Sequence, residues 1–282
     1  MADTVITIRE LLDQGRGQLS GLDTARLDAE ILLCHVLHSD RSRIYAGLER
    51  GITADQQATY AELISARQTG IPVAYLTGKK EFWSVELCVN EHTLVPRPET
   101  ECLVEAVLEQ IPTEEALTIA DLGTGSGAIA IALASERPAC KLLASDINTE
   151  ALTIANHNAD LQTPGQIRFV RSDWFSNIDE HFDIIVSNPP YIADKDPHLS
   201  GPDMGHEPAN ALRGGRDGLD AIRKIIEGAV SHLNTDGWLF LEHGFDQARA
   251  VSALFHSGHF GNVTTRKDYA GLDRVTFGQY TG

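Results

Sequence analysis

Asp121-Leu122-Gly123-Thr124-Gly125-Ser126-Gly127 stands between two apolar stretches of different character. Residues 117–120 read as a short buried strand, and residues 128–134 read as a helix. Three glycines at such a junction let the backbone turn tightly and approach a ligand closely. The start of the following helix would face that ligand with free N–H groups.

Outward from this turn, strands and helices alternate. Residues 141–145 read as strand, 149–161 as helix, and 167–171 and 182–187 as strands. A long loop covers about 192–216. It is followed by a helix near 219–233, a strand at 238–241 and a helix near 246–257. Two further strands, 263–267 and 274–278, flank Gly271. The pattern implies an α/β fold, a mostly parallel sheet covered by helices on both faces and ending in an antiparallel pair.

Toward the N-terminus the signal changes. Val5, Ile8, Leu11 and Leu12 recur at helical spacing, as do Leu27, Ile31, Leu32 and Val36. Thr53 with Gln56 predicts a capping box, and Gly70 a helix stop after Leu63 and Ile64. Residues 1–72 therefore read as a small helical domain, closed by Ile71-Pro72. Trp83, Val85, Leu87 and Val89 alternate with Ser84, Glu86 and Cys88, so 73–95 reads as a hairpin linker. Pro96 and Pro98 precede a helix over 99–109, and 96–282 forms the α/β domain.

Bulk properties narrow the function. The chain has 282 residues, 42% of them hydrophobic, and a formal net charge of −17. Such acidity disfavours a general binder of nucleic acid. Four scattered cysteines without a C-x-x-C pair argue against a zinc site and suit a reducing compartment. No signal peptide is evident, and no apolar run approaches the roughly 20 residues that cross a bilayer. The cytoplasm is the expected location.

Four motifs carry chemistry. A dinucleotide site prefers G-x-G-x-x-G, whereas G-x-G-x-G after Asp-Leu is the form common at S-adenosylmethionine sites; a bare glycine turn would hold no ligand. Asp146, after strand 141–145, can accept hydrogen bonds from both ribose hydroxyls of an adenosine, and it also suits a helix N-cap before Thr149. Ser172-Asp173-Trp174 follows the next strand, where an aromatic ring can border a base; a lone tryptophan there also reads as core. Asn188-Pro189-Pro190-Tyr191 ends strand 182–187. Two prolines stiffen the turn and remove two donors, so carbonyls can point into a cleft. The Asn188 oxygen and the Pro189 carbonyl can then accept both hydrogens of a planar –NH2 group, with Tyr191 packed against it. Substrates of that shape are adenine and glutamine.

The sequence resembles the protein-glutamine methyltransferases that modify peptide chain release factors (the HemK/PrmC family), and the likeness runs nearly end to end. It rests on Glu81-Phe82-Trp83, Val95-Pro96-Arg97-Pro98-Glu99-Thr100-Glu101, Ser172-Asp173-Trp174-Phe175 and Asn188 through Ile192. Glu207-Pro208 with Ala211-Leu212, Asp217-Gly218-Leu219, Glu242-His243-Gly244 with Gln247, and Asp268-Tyr269 with Gly271, Asp273 and Arg274 extend it. A sister group that methylates a ribosomal protein carries Ser-Pro after the Pro-Arg of the linker, whereas this chain carries Pro-Glu-Thr-Glu.

The resemblance implies a seven-stranded Rossmann-like S-adenosylmethionine-dependent methyltransferase domain preceded by a helical domain that helps dock the release factor. It implies cofactor contacts from Gly123, Thr124, Gly125, Ser126, Gly127, Asp146, Trp174 and Asn188. Asn188, Pro189, Pro190 and Tyr191 would hold the substrate glutamine, with Asn188 the catalytic residue. The reaction needs no metal and no covalent nucleophile, and neither nucleic acid nor membrane is an expected partner. The competing readings are a ribosomal-protein glutamine methyltransferase, an adenine methyltransferase of nucleic acid, an NAD-dependent oxidoreductase, and a non-catalytic subunit that kept the fold.

Overall fold

A computed structural model describes residues 6–201 and 204–282, which divide into two compact units. The larger runs from Lys79 to Leu199 and from Glu207 to Gly282. Its seven-stranded sheet has the order β5-β4-β3-β6-β7-β9-β8. These strands are β3 Thr118–Leu122, β4 Lys141–Asp146, β5 Ile167–Arg171, β6 Phe182–Ser187, β7 Leu233–Glu242, β8 Phe260–Lys267 and β9 Asp273–Tyr280. All neighbouring pairs from β5 to β7 are parallel, and β9 pairs antiparallel with both β7 and β8. The expected antiparallel end is present.

Successive residues of the central strands serve opposite faces. Ile119, Ile184, Val186 and Phe240 join one core, which includes Leu103 and Val107 of α6 (Glu101–Gln110) and Leu133 of α7 (Ala128–Glu136). Ala120, Ile185, Leu239 and Leu241 join the other, with Ile222 and Ile225 of α10 (Asp220–Ala229) and Phe255 of α11 (Ala248–Ser257). Burial on both faces is why these strands read as continuous apolar runs rather than alternating ones. α8 (Thr149–Gln162) joins β4 to β5.

Three expectations shift. Trp83 does not begin a strand. The hairpin consists of β1 (Lys79–Phe82) and β2 (Val85–Cys88), and Trp83 and Ser84 form its two-residue turn with φ of 52° and 58°. A type I′ geometry normally takes Asn or Gly. Here the strain is offset by bonds from the Trp83 backbone N–H to Glu101 (3.0 Å) and from its indole N–H to Glu136 (2.9 Å). The helix expected near 219–233 stops at Ala229, because Leu233 is buried as the β7 partner of Phe182. The long loop holds short 3-10 turns at Pro197–Ser200 and Met204–His206 and the one-turn helix α9 (Ala209–Leu212).

The smaller unit comprises the described residues up to Gly78, with Ser200, Gly201 and Met204–His206. Its helices are α1 Ile8–Gln18, α2 Ala25–Leu37, α3 Arg41–Ala46, α4 Ala54–Gln68 and α5 Val73–Thr77. The capping box at Thr53 and Gln56 starts α4. Pro72 occupies the N-cap of α5 rather than ending the unit, a place where its missing N–H costs nothing. Val5 lies outside the described residues. On α2 the buried stripe is Asp28, Ala29, Leu32 and Leu33, while Leu27 is 44% exposed. The stripe is displaced because two acids are buried with partners. Asp28 meets Arg67 at 2.7 Å, and Glu30 meets Arg16 and Arg26, each at 2.9 Å.

Candidate active site

β4 and β6 lie on opposite sides of β3, so the chain reverses direction across the sheet there. Crevices at such switch points, outside the carboxyl ends of the strands, are where open α/β sheets bind ligands. A cavity of about 230 Å³ opens at this place, walled by Gly123, Gly125, Asp146, Ile147, Trp174, Asn188 and Pro190. His92, Leu94, Asn148, Ser172, Asp173, Pro208, Asn210 and Ala211 complete it.

The glycine turn is knitted from inside. The N–H groups of Gly123 and Thr124 donate to the Ser145 carbonyl at 2.8 and 2.9 Å, and Gly127 donates to Thr124 at 2.9 Å. Gly125 donates to Asp146 Oδ2 at 3.0 Å. Four amides of the turn are thus committed within the protein. Gly123 and Gly125 face the cavity; Thr124 and Ser126 are buried, and Gly127 is the N-cap of α7 at φ 85°. The Thr124 hydroxyl donates to Asp121 at 2.6 Å. Burial pushes the Asp121 carboxyl up to about 7, against the pull of Thr124 and of the Ala130 N–H. Asn158 clamps the turn to the hairpin: its Nδ2 donates to Ser126 O and Cys88 O at 2.9 Å, and its Oδ1 accepts from Cys88 N at 2.8 Å. The sequence signal for Asn158 was a polar residue in the buried stripe of α8, beside Ala151, Ala155 and Ala159.

Asp146 ends β4 with its carboxylate held by the N–H groups of Asn148 (2.9 Å) and Gly125. Burial raises its pKa. The N-cap of α8 is Asn148, not Asp146, so the aspartate's remaining lone pairs serve the cavity. Trp174 borders the cavity and also packs on the second core. A Cβ at Gly123 would stand 3.6 Å from its ring, so the bare glycine leaves the ring's surroundings open.

At the end of β6, Asn188 Nδ2 donates to Thr100 Oγ1 at 3.1 Å. Its Oδ1 accepts nothing among the described residues and is left as the acceptor at the cavity wall. Pro190 also lines the cavity, whereas Pro189 is buried. Tyr191 packs on the second core with its hydroxyl donating to Glu242 at 3.3 Å, and it is not on the cavity wall. Gly214 and Gly218 seat the motif's backbone, since a Cβ on either would lie 2.7 Å from Pro190 O or 2.3 Å from Tyr191 O.

The remaining wall comes from segments without a motif of their own. Pro208, Asn210 and Ala211 are held in place by Glu207, whose side chain accepts from Val95 N (3.3 Å) and pairs with Arg97. The likeness at Glu207-Pro208 and Ala211 marked this stretch without giving it a task.

The donor set fits S-adenosylmethionine. A half-buried carboxylate able to accept hydrogen bonds from hydroxyl groups, a flat ring and a further carboxylate at Asp173 suit a nucleoside bearing a positive charge. Among the described residues no group of three or more His, Cys, Asp or Glu could hold a metal ion. No helix among them is long and apolar enough to cross a membrane.

Residues 10–78 match the PrmC N-terminal domain, and residues 100–215 match the methyltransferase small domain. A release factor glutamine methyltransferase of Salmonella typhimurium is 45% identical over 96% of this chain and 98% of its own length. One of Escherichia coli is 44% identical over 95% and 97%. A methyltransferase structure from Pyrococcus furiosus, 19% identical, superposes with a TM-score of 0.53 over 70% of this chain and 90% of that one, and shows the fold alone. With identity of this depth over nearly all of both sequences, the chain belongs to the family of release factor glutamine methyltransferases.

Proposed function

We propose that the protein transfers a methyl group from S-adenosylmethionine to the side-chain amide nitrogen of a glutamine in a peptide chain release factor. The orientation of Asn188 carries this reading: its –NH2 is turned to Thr100, to which it donates, so its Oδ1 is the group offered to a substrate. An acceptor there suits a substrate –NH2, whose hydrogens it can help hold. The net charge of −17 supports a protein substrate over direct contact with nucleic acid, and four free thiols suit the cytoplasm.

When bound, S-adenosylmethionine supplies a sulfonium methyl that is a strong electrophile. Asp146 would hold the ribose hydroxyls and Trp174 the adenine. Gly123 and Gly125 would let the backbone lie close, while Thr124, Ser126 and Gly127 shape the turn from behind. The glutamine nitrogen is a poor nucleophile because its lone pair is delocalised. Asn188 Oδ1 and the Pro189 carbonyl would take its two hydrogens, fixing the –NH2 and favouring the positive charge that develops on it. Pro190 and Tyr191 make that grip rigid, the latter through its bond to Glu242. The proton leaves after transfer.

Asn188→Ala is expected to lower single-turnover transfer to purified release factor by about 10²–10³, the usual loss of one preorganised hydrogen bond at a reacting centre. Docking of the release factor should persist. A rate within a few-fold of the unaltered protein would remove Asn188 from the chemistry, and transfer to ribosomal protein or DNA instead would redirect the substrate.

A further inference from the structure

The mechanism leaves one buried acid unused. Glu242 is the last residue of β7, and Ser187 pairs with Leu241, so Glu242 stands beside Asn188. It is 1% exposed, and its Oε2 is buried without a hydrogen-bond partner. Its Oε1 accepts from the Tyr191 hydroxyl. Thr100, itself 4% exposed, lies beside the same carboxyl and accepts from Asn188. Tyr191 is thus bonded to this carboxyl, and Asn188 is bonded to the threonine beside it, while the buried Oε2 is left without a donor. A buried acid that served only to fill space would cost more than an apolar residue of the same size.

We infer that Thr100 and Glu242 are a positioning pair that fixes which way the Asn188 amide faces, a role that rests on the glutamine transfer proposed above. A threonine hydroxyl has one hydrogen and two lone pairs. When the Glu242 carboxylate draws the hydrogen, only lone pairs face Asn188. The asparagine must then present its –NH2 to Thr100 and its Oδ1 to the cavity. A reversed amide would set oxygen against oxygen and offer the substrate donors where it needs acceptors. Burial pushes the Glu242 carboxyl up to about 7, while Thr100, Arg274 and Tyr191 favour its charged form and Glu99 opposes it.

The test uses Thr100→Val, which keeps shape and removes the hydroxyl, Thr100→Ser, which restores it, and Glu242→Gln. In Glu242→Gln the new –NH2 can donate to Thr100 and free the hydroxyl hydrogen to pull Asn188 around. Thr100→Val and Glu242→Gln should each lower kcat about 10- to 100-fold, with KM for release factor and cofactor affinity within about three-fold. Thr100→Ser should recover most of kcat. The double variant should fall no more than about two-fold below Thr100→Val, because both changes break one linkage. Cofactor-free protein labelled with 15N-asparagine adds an arm independent of activity. The Asn188 side-chain amide signal, assigned by its loss in Asn188→Ala, should move in Thr100→Val and in Glu242→Gln. A kcat for Thr100→Val within three-fold of the unaltered protein, losses that multiply in the double variant, or an amide signal unmoved in both variants would each overturn the pair. If the unaltered protein methylates no release factor, the substrate reading fails and the amide signal still decides the inference.

Discussion

Single residues at the cavity divide by how they reveal themselves. Asp146 is legible because an acid ending the first strand after a glycine turn has few other tasks, and its neighbours Asn148 and Gly125 hold it in place. Asp146→Ala should weaken S-adenosylmethionine binding by roughly 1.5–3 kcal/mol, the worth of hydrogen bonds to a charged acceptor. Calorimetry on folded variant giving unchanged affinity would end the ribose assignment. His92, Leu94 and Asn210 were not legible, because the family likeness marks only residues near them and their own side chains carry no periodicity. Tyr191 shows the opposite case. Its motif is plain in the sequence, yet whether the ring faces a ligand or the core depends on Glu242, which is distant along the chain.

At the level of elements, strands β3, β4 and β6 were readable because each contains an apolar run bounded by turn residues, and β5 because Ile167, Phe169 and Val170 stand among charged neighbours. The hairpin turn at Trp83-Ser84 was not, since its positive φ angles are held by Glu101 and Glu136 rather than by glycine. α2 was readable as a helix but not in its face, because buried Asp28 and Glu30 took places that periodicity gives to apolar residues. α10 offers a test of packing against propensity. A Cβ at Gly228 would lie 2.3 Å from Phe175 Cδ2, and that ring stacks on His232 at a centroid distance of 4.4 Å. Alanine is favoured in a helix by about 1 kcal/mol over glycine. Overpacking costs about 1–3 kcal/mol, so the collision wins. Gly228→Ala should lower the Tm by a few degrees. It should also weaken cofactor binding by displacing Trp174, the neighbour of Phe175. An equal or higher Tm in a calorimetric scan would show that Phe175 yields freely.

Taken as a whole, the molecule carries an unusual load of acid inside as well as outside. Asp121 and Glu242 sit near 7 through burial, and Asp146 is raised by the same cause. For Asp121 the ordinary value is 3.8, so between there and about 7 the folded chain holds a proton that the unfolded chain has lost. Stability from such groups is full below the ordinary value and is lost as pH rises through the folded one. His243 works in the other direction below 6.5, because burial lowers its pKa and the folded state resists its charging. Three carboxyls outweigh one imidazole, so the Tm should fall from pH 5 to pH 8. Asp121→Asn should flatten that decline, and a scan series in which the variant keeps the full slope would dismiss Asp121 as its source.

The inward-tied amides of the glycine turn have a consequence for life among metabolites. Cells are crowded with adenosine phosphates, which share the ribose and base that Asp146 and Trp174 would recognise. A pyrophosphate group wants several N–H donors together, and here the turn has already given four of them to Ser145, Thr124 and Asp146. Asp173 beside the same wall repels a phosphate further. A cofactor site built on such a turn would favour an adenosine with a cationic tail over the far more abundant anionic ones.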